Sequence, residues 1–265
     1  MTVSRKSAGL PEGAAVAGAD GAIKPIASPS PNFGERRGPG IDMLVVHYTG
    51  MPSAAAARRW LCDGRSRVSS HYLVDARGRV FALVAEEKRA WHAGVSFWAG
   101  ERDINSRSVG IEVHNGGHVA GLPPFPDRQV EAVSALSAAI VRRHGVAPHR
   151  VLAHSDVAPA RKIDPGERFP WARLAAAGVG IWAEPAPPDA SDVLADGARG
   201  APVEALQRSL ARLGYEIDAT GRFDMATRIV VAAFQRHWRP ARVDGCADRS
   251  TRQALASVLA RAGCG

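Results

Sequence analysis

The segment Met43-Leu44-Val45-Val46-His47-Tyr48 restricts the possible folds of this chain more than any other. Its first four residues are all apolar, and an unbroken apolar run of this kind indicates a strand that is buried on both faces. Such a strand needs a covering layer on each side. Strand-like and helix-like segments alternate over about residues 40–183, which predicts an α/β domain in this part of the chain.

The helical segments of this domain have recognisable ends. We expect Ser53 to cap a short helix over Ala54–Leu61, and Asp127 to cap a long helix over Arg128–His144. A further short helix is predicted from Trp171 to Ala177.

A carboxylate interrupts one apolar strand. In the segment Val109–His114 every second residue is apolar, and Glu112 lies on the opposite face together with Gly110 and His114. A buried carboxylate costs free energy unless it is paired or has a function. Glu112 is therefore a candidate catalytic residue.

The segment His154–Gly166 contains an imidazole, an ammonium group and a carboxylate within eleven residues. Pro159 and Pro165 lack backbone donors, so we expect no helix here. In an extended segment Lys162 and Asp164 point to the same side. The alternative interpretation is a surface loop with an incidental Lys–Asp pair, which contributes almost nothing to stability.

Three candidate ligands together predict a zinc site. His47 and His154 each end a predicted strand, and Asp164 follows on the next loop. Two neutral imidazoles and one carboxylate leave a fourth zinc position open, as hydrolytic zinc enzymes require. In amide hydrolysis Glu112 would transfer a proton from water to the leaving amine, and Lys162 would stabilise the oxyanion.

The motifs around these residues resemble those of the AmpD-like zinc N-acetylmuramoyl-L-alanine amidases. The matching segments occur in the same order as in that family and span roughly residues 28–175: Val45–Met51, Ser69–Tyr72, Trp91–Ser96, Ser108–Glu112 and His154–Gly166. The resemblance implies a mixed β-sheet flanked by helices, with Zn²⁺ on His47, His154 and Asp164. It also implies cleavage of the amide between N-acetylmuramic acid and L-alanine, with Glu112 and Lys162 at the catalytic positions.

Substrate contacts are predicted from a loop region that combines aromatic and polar residues. Trp91, His92, Arg102 and Asn105 are the candidates for binding sugar or peptide. The aromatic residues could equally lie at the edge of the core. The family often has an arginine before the catalytic glutamate that holds a peptide carboxylate, and Arg102 is near that place without a secure alignment.

The C-terminal part is predicted to be a small all-α domain. Three amphipathic segments, Pro202–Leu213, Met225–Trp238 and one from Ser250 or Thr251 to Ala262, need one another to bury their apolar faces. Their pattern resembles the peptidoglycan-binding three-helix module. We therefore divide the chain into a disordered lead (1–27), a zinc amidase domain (28–183), a Pro-rich linker (184–191) and a peptidoglycan-binding domain (192–265).

Composition limits the partners and the location. The chain has 265 residues and a net charge of +8, which suits anionic wall polymers but lacks the basic, aromatic-rich arm that would indicate nucleic acid. No apolar run is long enough for a transmembrane segment, and residues 1–20 lack the apolar core of a secretory signal. We expect a cytoplasmic monomer, with the cell envelope as the alternative. Cys246 and Cys264 could pair in an exported protein.

Two functions fit these motifs. The first is a zinc amidase acting on peptidoglycan or muropeptides, and the second is a non-catalytic peptidoglycan recognition protein with the same fold. All three ligands and both catalytic candidates are present, which favours the enzyme.

Overall fold

A six-stranded mixed sheet forms the centre of the computed structural model, which describes residues 16–18, 21–189 and 192–263. The described strands are β1 (Val16–Gly18), β2 (Gly21–Ile23), β3 (Ile26–Ala27), β4 (Phe33–Glu35), β5 (Met43–Tyr48), β6 (Tyr72–Val74), β7 (Val80–Ala82), β8 (Lys88–Ala90), β9 (Ser108–Val113) and β10 (Val151–Ala153). The order in the main sheet is β10-β5-β9-β6-β7-β3, and only β6 and β7 pair antiparallel. The predicted mixed sheet flanked by helices is confirmed.

The described α-helices follow the predicted pattern closely. They are α1 (Ala54–Leu61), α2 (Ile104–Arg107), α3 (Asp127–His144), α4 (His154–Val157), α5 (Trp171–Ala176), α6 (Ala201–Leu213), α7 (Met225–Trp238) and α8 (Arg249–Arg261). None of the helices in the described residues is long and apolar enough to cross a membrane.

Both faces of the central strand β5 are buried, as its apolar run predicts. Leu44 and Val46 belong to an apolar cluster with residues of α3 and α5. Met43 and Val45 belong to a second cluster that continues into the C-terminal helices. The three-helix unit therefore helps to close one side of the α/β domain, and both units share one continuous core.

Parallel pairing places β10, β5 and β9 side by side. β5 lies between β10 and β9, and its register puts His47 opposite Glu112. His154 directly follows the last residue of β10. Since the carboxyl ends of parallel strands meet at one edge of a sheet, all three side chains reach the same edge.

Three sequence predictions need correction. Part of the predicted disordered lead forms strands, since β1 pairs with β2, and β3 pairs with β7 in the main sheet. Asp127 is the first residue of α3 rather than its cap, which is Pro126. His154 begins the short helix α4, since the prolines that exclude a helix come only after this turn. Cys264 lies outside the described residues, as does its possible pairing with Cys246.

Candidate active site and metal centre

Three ligand atoms converge at the edge of the sheet. The Nδ1 atoms of His47 and His154 are 2.9 Å apart, and each lies close to Asp164 Oδ2, at 3.2 Å and 3.0 Å respectively. All three side chains are buried. The structure therefore brings the three predicted ligands together, although His47 and His154 are separated by 107 positions in the chain.

The hydrogen bonds around His154 determine which of its nitrogens carries a lone pair. His154 Nε2 lies 3.2 Å from the carbonyl oxygen of Ala93. A carbonyl oxygen only accepts, so Nε2 must carry the proton of a neutral imidazole. The lone pair of His154 is then on Nδ1, the atom that faces His47 and Asp164.

A chain of three hydrogen bonds determines in the same way which nitrogen of His47 carries the lone pair. Ser108 donates its hydroxyl proton to the Ile104 carbonyl at 2.6 Å, so its oxygen is free to accept from His92 Nε2 at 3.2 Å. His92 Nδ1 is consequently an acceptor, and it receives the Nε2 proton of His47 at 3.1 Å. The lone pair of His47 is therefore also on Nδ1.

This arrangement fits a metal ion. Two imidazole lone pairs and an anionic oxygen face one another across about 3 Å, and lone pairs repel unless a cation lies between them. Zn²⁺ takes this donor set, and a ligating histidine commonly donates its other N–H to an acceptor, as both histidines do here. Among the described residues, His47, His154 and Asp164 are the group that could hold a metal.

The protonation states of the ligands suit metal binding near neutral pH. Burial, and then the nearby His154, lower the pKa of His47 to about 4. Burial opposes the ionisation of Asp164, but the two imidazoles outweigh it and hold the pKa of that carboxyl below its usual range. A neutral imidazole and an ionised carboxylate are the forms that bind a metal.

Glu112 presents a carboxyl group to the cavity that the three ligands also line. Its Oε2 is buried and has no hydrogen-bond partner within the described parts of the chain. Burial, and then the Asp164 charge, raise the pKa of Glu112 well above its usual value, whereas Lys162 acts in the opposite direction. A carboxyl group with a raised pKa can accept and release a proton close to neutral pH.

An open cavity of about 310 Å³ contains these groups. Its walls include the three ligands, Glu112, Lys162 and the following residues: Tyr48, Thr49, Met51, Ala57, Trp60, Leu61, Val68, Ser69, Trp91 and His92. Lys162 and Asp164 both reach it, while the Arg161 guanidinium turns away to the Ala93 and Val95 carbonyls. The predicted common side of Lys162 and Asp164 is thus present.

The four predicted substrate residues are found in different places. Trp91 and His92 line the cavity. Arg102 lies outside it, pairs with Glu216 and has its guanidinium 5.1 Å above the Phe97 ring. Asn105 is buried, and its Oδ1 accepts from the backbone N–H groups of His92 and Ala93 at 3.0 and 2.8 Å. It holds the loop that carries His92.

Sequence reasoning missed the support that His92 gives to His47. One signal was available, because Gly110 interrupts the apolar strand β9, and a glycine in a strand often marks a close approach. A Cβ atom at Gly110 would lie 2.5 Å from the His92 ring. The absence of a side chain at Gly110 therefore leaves space for the His92 ring, which contacts both His47 and Ser108.

The comparisons with known proteins agree with this geometry. Residues 36–167 match the family described as N-acetylmuramoyl-L-alanine amidase, and residues 199–255 match a putative peptidoglycan binding domain. AmiD of Escherichia coli, an N-acetylmuramoyl-L-alanine amidase, is 41% identical over 242 residues, which cover 83% of this chain and 83% of AmiD. AmpD of Haemophilus influenzae, a 1,6-anhydro-N-acetylmuramyl-L-alanine amidase, is 32% identical over 54% of this chain and 86% of its own.

A solved structure extends the similarity to the fold of most of the chain. The complex of E. coli AmiD with the substrate anhydro-N-acetylmuramic acid-L-Ala-D-γ-Glu-L-Lys has a TM-score of 0.72 and 35% identity, covering 88% of this chain and 99% of that one.

Proposed function

This chain belongs to the N-acetylmuramoyl-L-alanine amidase family, and we propose that His47, His154 and Asp164 hold a zinc ion for its reaction. The observation that carries this proposal is the convergence of two Nδ1 lone pairs and one carboxylate oxygen within 3.2 Å. The proposed substrate is the amide between the lactyl group of N-acetylmuramic acid and L-alanine, in peptidoglycan or in soluble muropeptides.

The residues around the metal position supply the remaining chemistry. Zinc bound there would lower the pKa of a coordinated water to about 7 and polarise the substrate carbonyl. Glu112 takes a proton from the attacking water and passes it to the leaving amine, for which its raised pKa is suited. Lys162 lies in the same cavity and stabilises the negative charge that develops on the carbonyl oxygen.

Substrate contacts are proposed at the wall of the same cavity. Trp91 lines it with its indole, which can pack on a sugar ring or a peptide. His92 also lines it, but both of its ring nitrogens are engaged with His47 and Ser108. We therefore assign His92 to holding the ligand His47. The three-helix domain would bind the wall polymer and keep the cavity near its substrate.

Digestion of purified peptidoglycan and of anhydro-muropeptides, followed by mass spectrometry, tests this function. We expect free stem peptides that begin with L-alanine, their loss on chelation and their return with zinc. Glu112→Gln should abolish release, whereas Glu87→Gln, at an exposed carboxylate, should leave it unchanged. Binding without release from either substrate would instead indicate a recognition protein.

The cytoplasmic location stays a prediction, with the cell envelope as its alternative. Detection of the native protein in fractionated cells tests it. Recovery in the envelope fraction would contradict the prediction and favour intact wall over recycled muropeptides as the substrate.

A further inference from the structure

A buried carboxylate lies directly behind the ligand His154. Asp156 is in α4, two residues after His154, and only 1% of it is exposed. Its Oδ2 accepts the backbone N–H of Ala153 at 2.7 Å, and Ala153 immediately precedes His154. Asp156 thus holds the backbone turn that aims the His154 ring at the metal position.

The other two hydrogen bonds of Asp156 come from the C-terminal domain. The Tyr215 hydroxyl donates to Oδ1 at 2.7 Å, and His237 Nδ1 donates to Oδ2 at 2.6 Å. Both residues are 2% exposed. Burial, and then the Asp156 charge, raise the pKa of Tyr215 well above that of an ordinary phenol, so its hydroxyl keeps the proton that it donates.

Aromatic packing fixes both donor rings. The His237 ring is stacked between Trp171 and Trp238, with centroid separations of 3.8 and 3.7 Å. The Tyr215 ring packs against Trp98 with its centroid 4.9 Å away. Trp171 and Trp98 belong to the catalytic domain, so each donor is held by a side chain from across the interface.

We propose that Tyr215 and His237 are positioning residues of the metal site, which act through Asp156 on the backbone that carries His154. The C-terminal domain is then part of the support of the active site as well as a wall-binding unit. The inference rests on the proposed zinc site. It assigns to two residues of the helical domain a role in supporting the metal site, which is separate from wall binding.

The physical reason is the cost of a buried carboxylate. Asp156 is removed from water, so its buried oxygens cost free energy unless hydrogen-bond donors satisfy them. Without the two donors from the C-terminal domain, Asp156 keeps only the Ala153 N–H as a donor among the described residues, and the carboxylate gains by turning toward water. The Ala153–His154 turn would then lose its fixed orientation, and with it the alignment of His154 Nδ1.

Zinc affinity of the full-length protein tests the proposal without reference to activity. Tyr215→Phe removes one hydroxyl, and His237→Phe removes the donor while keeping a flat ring between the two indoles. Loss of a group that hydrogen-bonds a ligand typically weakens metal binding about 10- to 100-fold, and Asp156 acts one step further away. We therefore expect the zinc dissociation constant, measured by chelator competition, to rise about threefold in each variant and about tenfold in the double variant.

A control variant separates this role from general interface stability. Glu216 neighbours Tyr215 and pairs with Arg102 across the same interface, but it does not contact Asp156. Glu216→Gln should leave the zinc dissociation constant unchanged. The absorption spectrum of the cobalt-substituted protein should change in Tyr215→Phe and stay the same in Glu216→Gln, since it reports ligand geometry.

The outcomes are distinguishable. Unchanged zinc affinity in Tyr215→Phe and in the double variant would overturn the inference, even if their melting temperatures fell. If His237→Phe does not fold, Tyr215→Phe decides alone, because it removes a single oxygen atom. Failure of the wild type to bind zinc would instead contradict the proposed function.

Discussion

The buried ligands at the sheet edge and the two buried glutamines of the three-helix domain have their polar atoms satisfied in different ways. In the helical domain, Gln207 donates to Thr220, Arg222 and Thr227 and accepts from the Gly221 N–H. At the sheet edge, by contrast, lone pairs face one another and Glu112 Oε2 has no partner among the residues described.

Gln235 repeats the pattern of Gln207 in the next helix. It donates to Asp244, Cys246 and Thr251 and accepts from the Asp244 and Gly245 N–H groups. Each glutamine therefore holds the loop that follows its helix. A fully paired buried polar group stabilises a fold, while an unpaired one costs stability and calls for a function.

The largest difference between the two regions should appear when Glu112 is replaced. Glu112→Gln keeps the size of the side chain but removes proton transfer, which should reduce kcat about 10²- to 10⁴-fold. The free energy of unfolding of the metal-free protein should stay the same or rise, because an unpaired buried carboxyl is removed. Steady-state kinetics and urea denaturation measure both, and a large loss of stability would show that Glu112 is structural.

Removal of the metal should destabilise the folded protein through the ligands at the sheet edge. A ligand present at 100 times its dissociation constant stabilises the folded state by about 2.7 kcal/mol, so chelation should lower the melting temperature of the wild type. The same treatment should not change the melting temperature of His47→Ala, which lacks one ligand. An equal decrease in both proteins would mean that zinc binds elsewhere.

Replacement of the paired glutamines should lower the stability of the fold and leave zinc binding unchanged. Gln207→Leu and Gln235→Leu leave buried loop N–H groups and carbonyls without partners, which should cost about 1–3 kcal/mol in the free energy of unfolding. The zinc dissociation constant should not change. Arg208→Gln, at an exposed pair with Glu204, is the control and should shift stability by less than about 0.5 kcal/mol. Altered zinc affinity in the glutamine variants would contradict the expectation that these glutamines act on stability alone.

The smallest effect, counted per pH unit, concerns the buried His71. Burial, and then the Arg36 charge, lower the pKa of His71 to about 3. The unfolded chain, with a histidine pKa near 6.5, takes up this proton first, so the folded state loses stability as the pH falls from about 6.5 toward 3, by at most about 1.4 kcal/mol per pH unit. Urea denaturation at several pH values should show a shallower slope in His71→Asn, whose Oδ1 can still accept from the Gly110 N–H.

Much of the catalytic domain could be predicted because the signals were local. The apolar run Met43–Tyr48, the cap at Ser53 and the apolar–polar alternation around Glu112 each depend on neighbouring residues, and all three features are present in the structure. The incorrect predictions also came from reading short stretches of sequence by themselves. The prolines of the segment after His154 do not exclude a helical turn that precedes them, and β3, just before residue 28, forms by pairing with β7, which is distant in the sequence.

The sequence alone determined which residues could bind a metal and transfer a proton, because chemistry depends on residue type and strand ends place His47 and His154 at one edge. Which nitrogen of each imidazole faces the metal position is set by contacts in the folded chain. That choice depends on Ala93, His92 and Ser108, partners that meet only after the chain has folded. The contacts of Asp156 with Tyr215 and His237 join residues 59 and 81 positions apart, and no local pattern encodes a pairing over such separations.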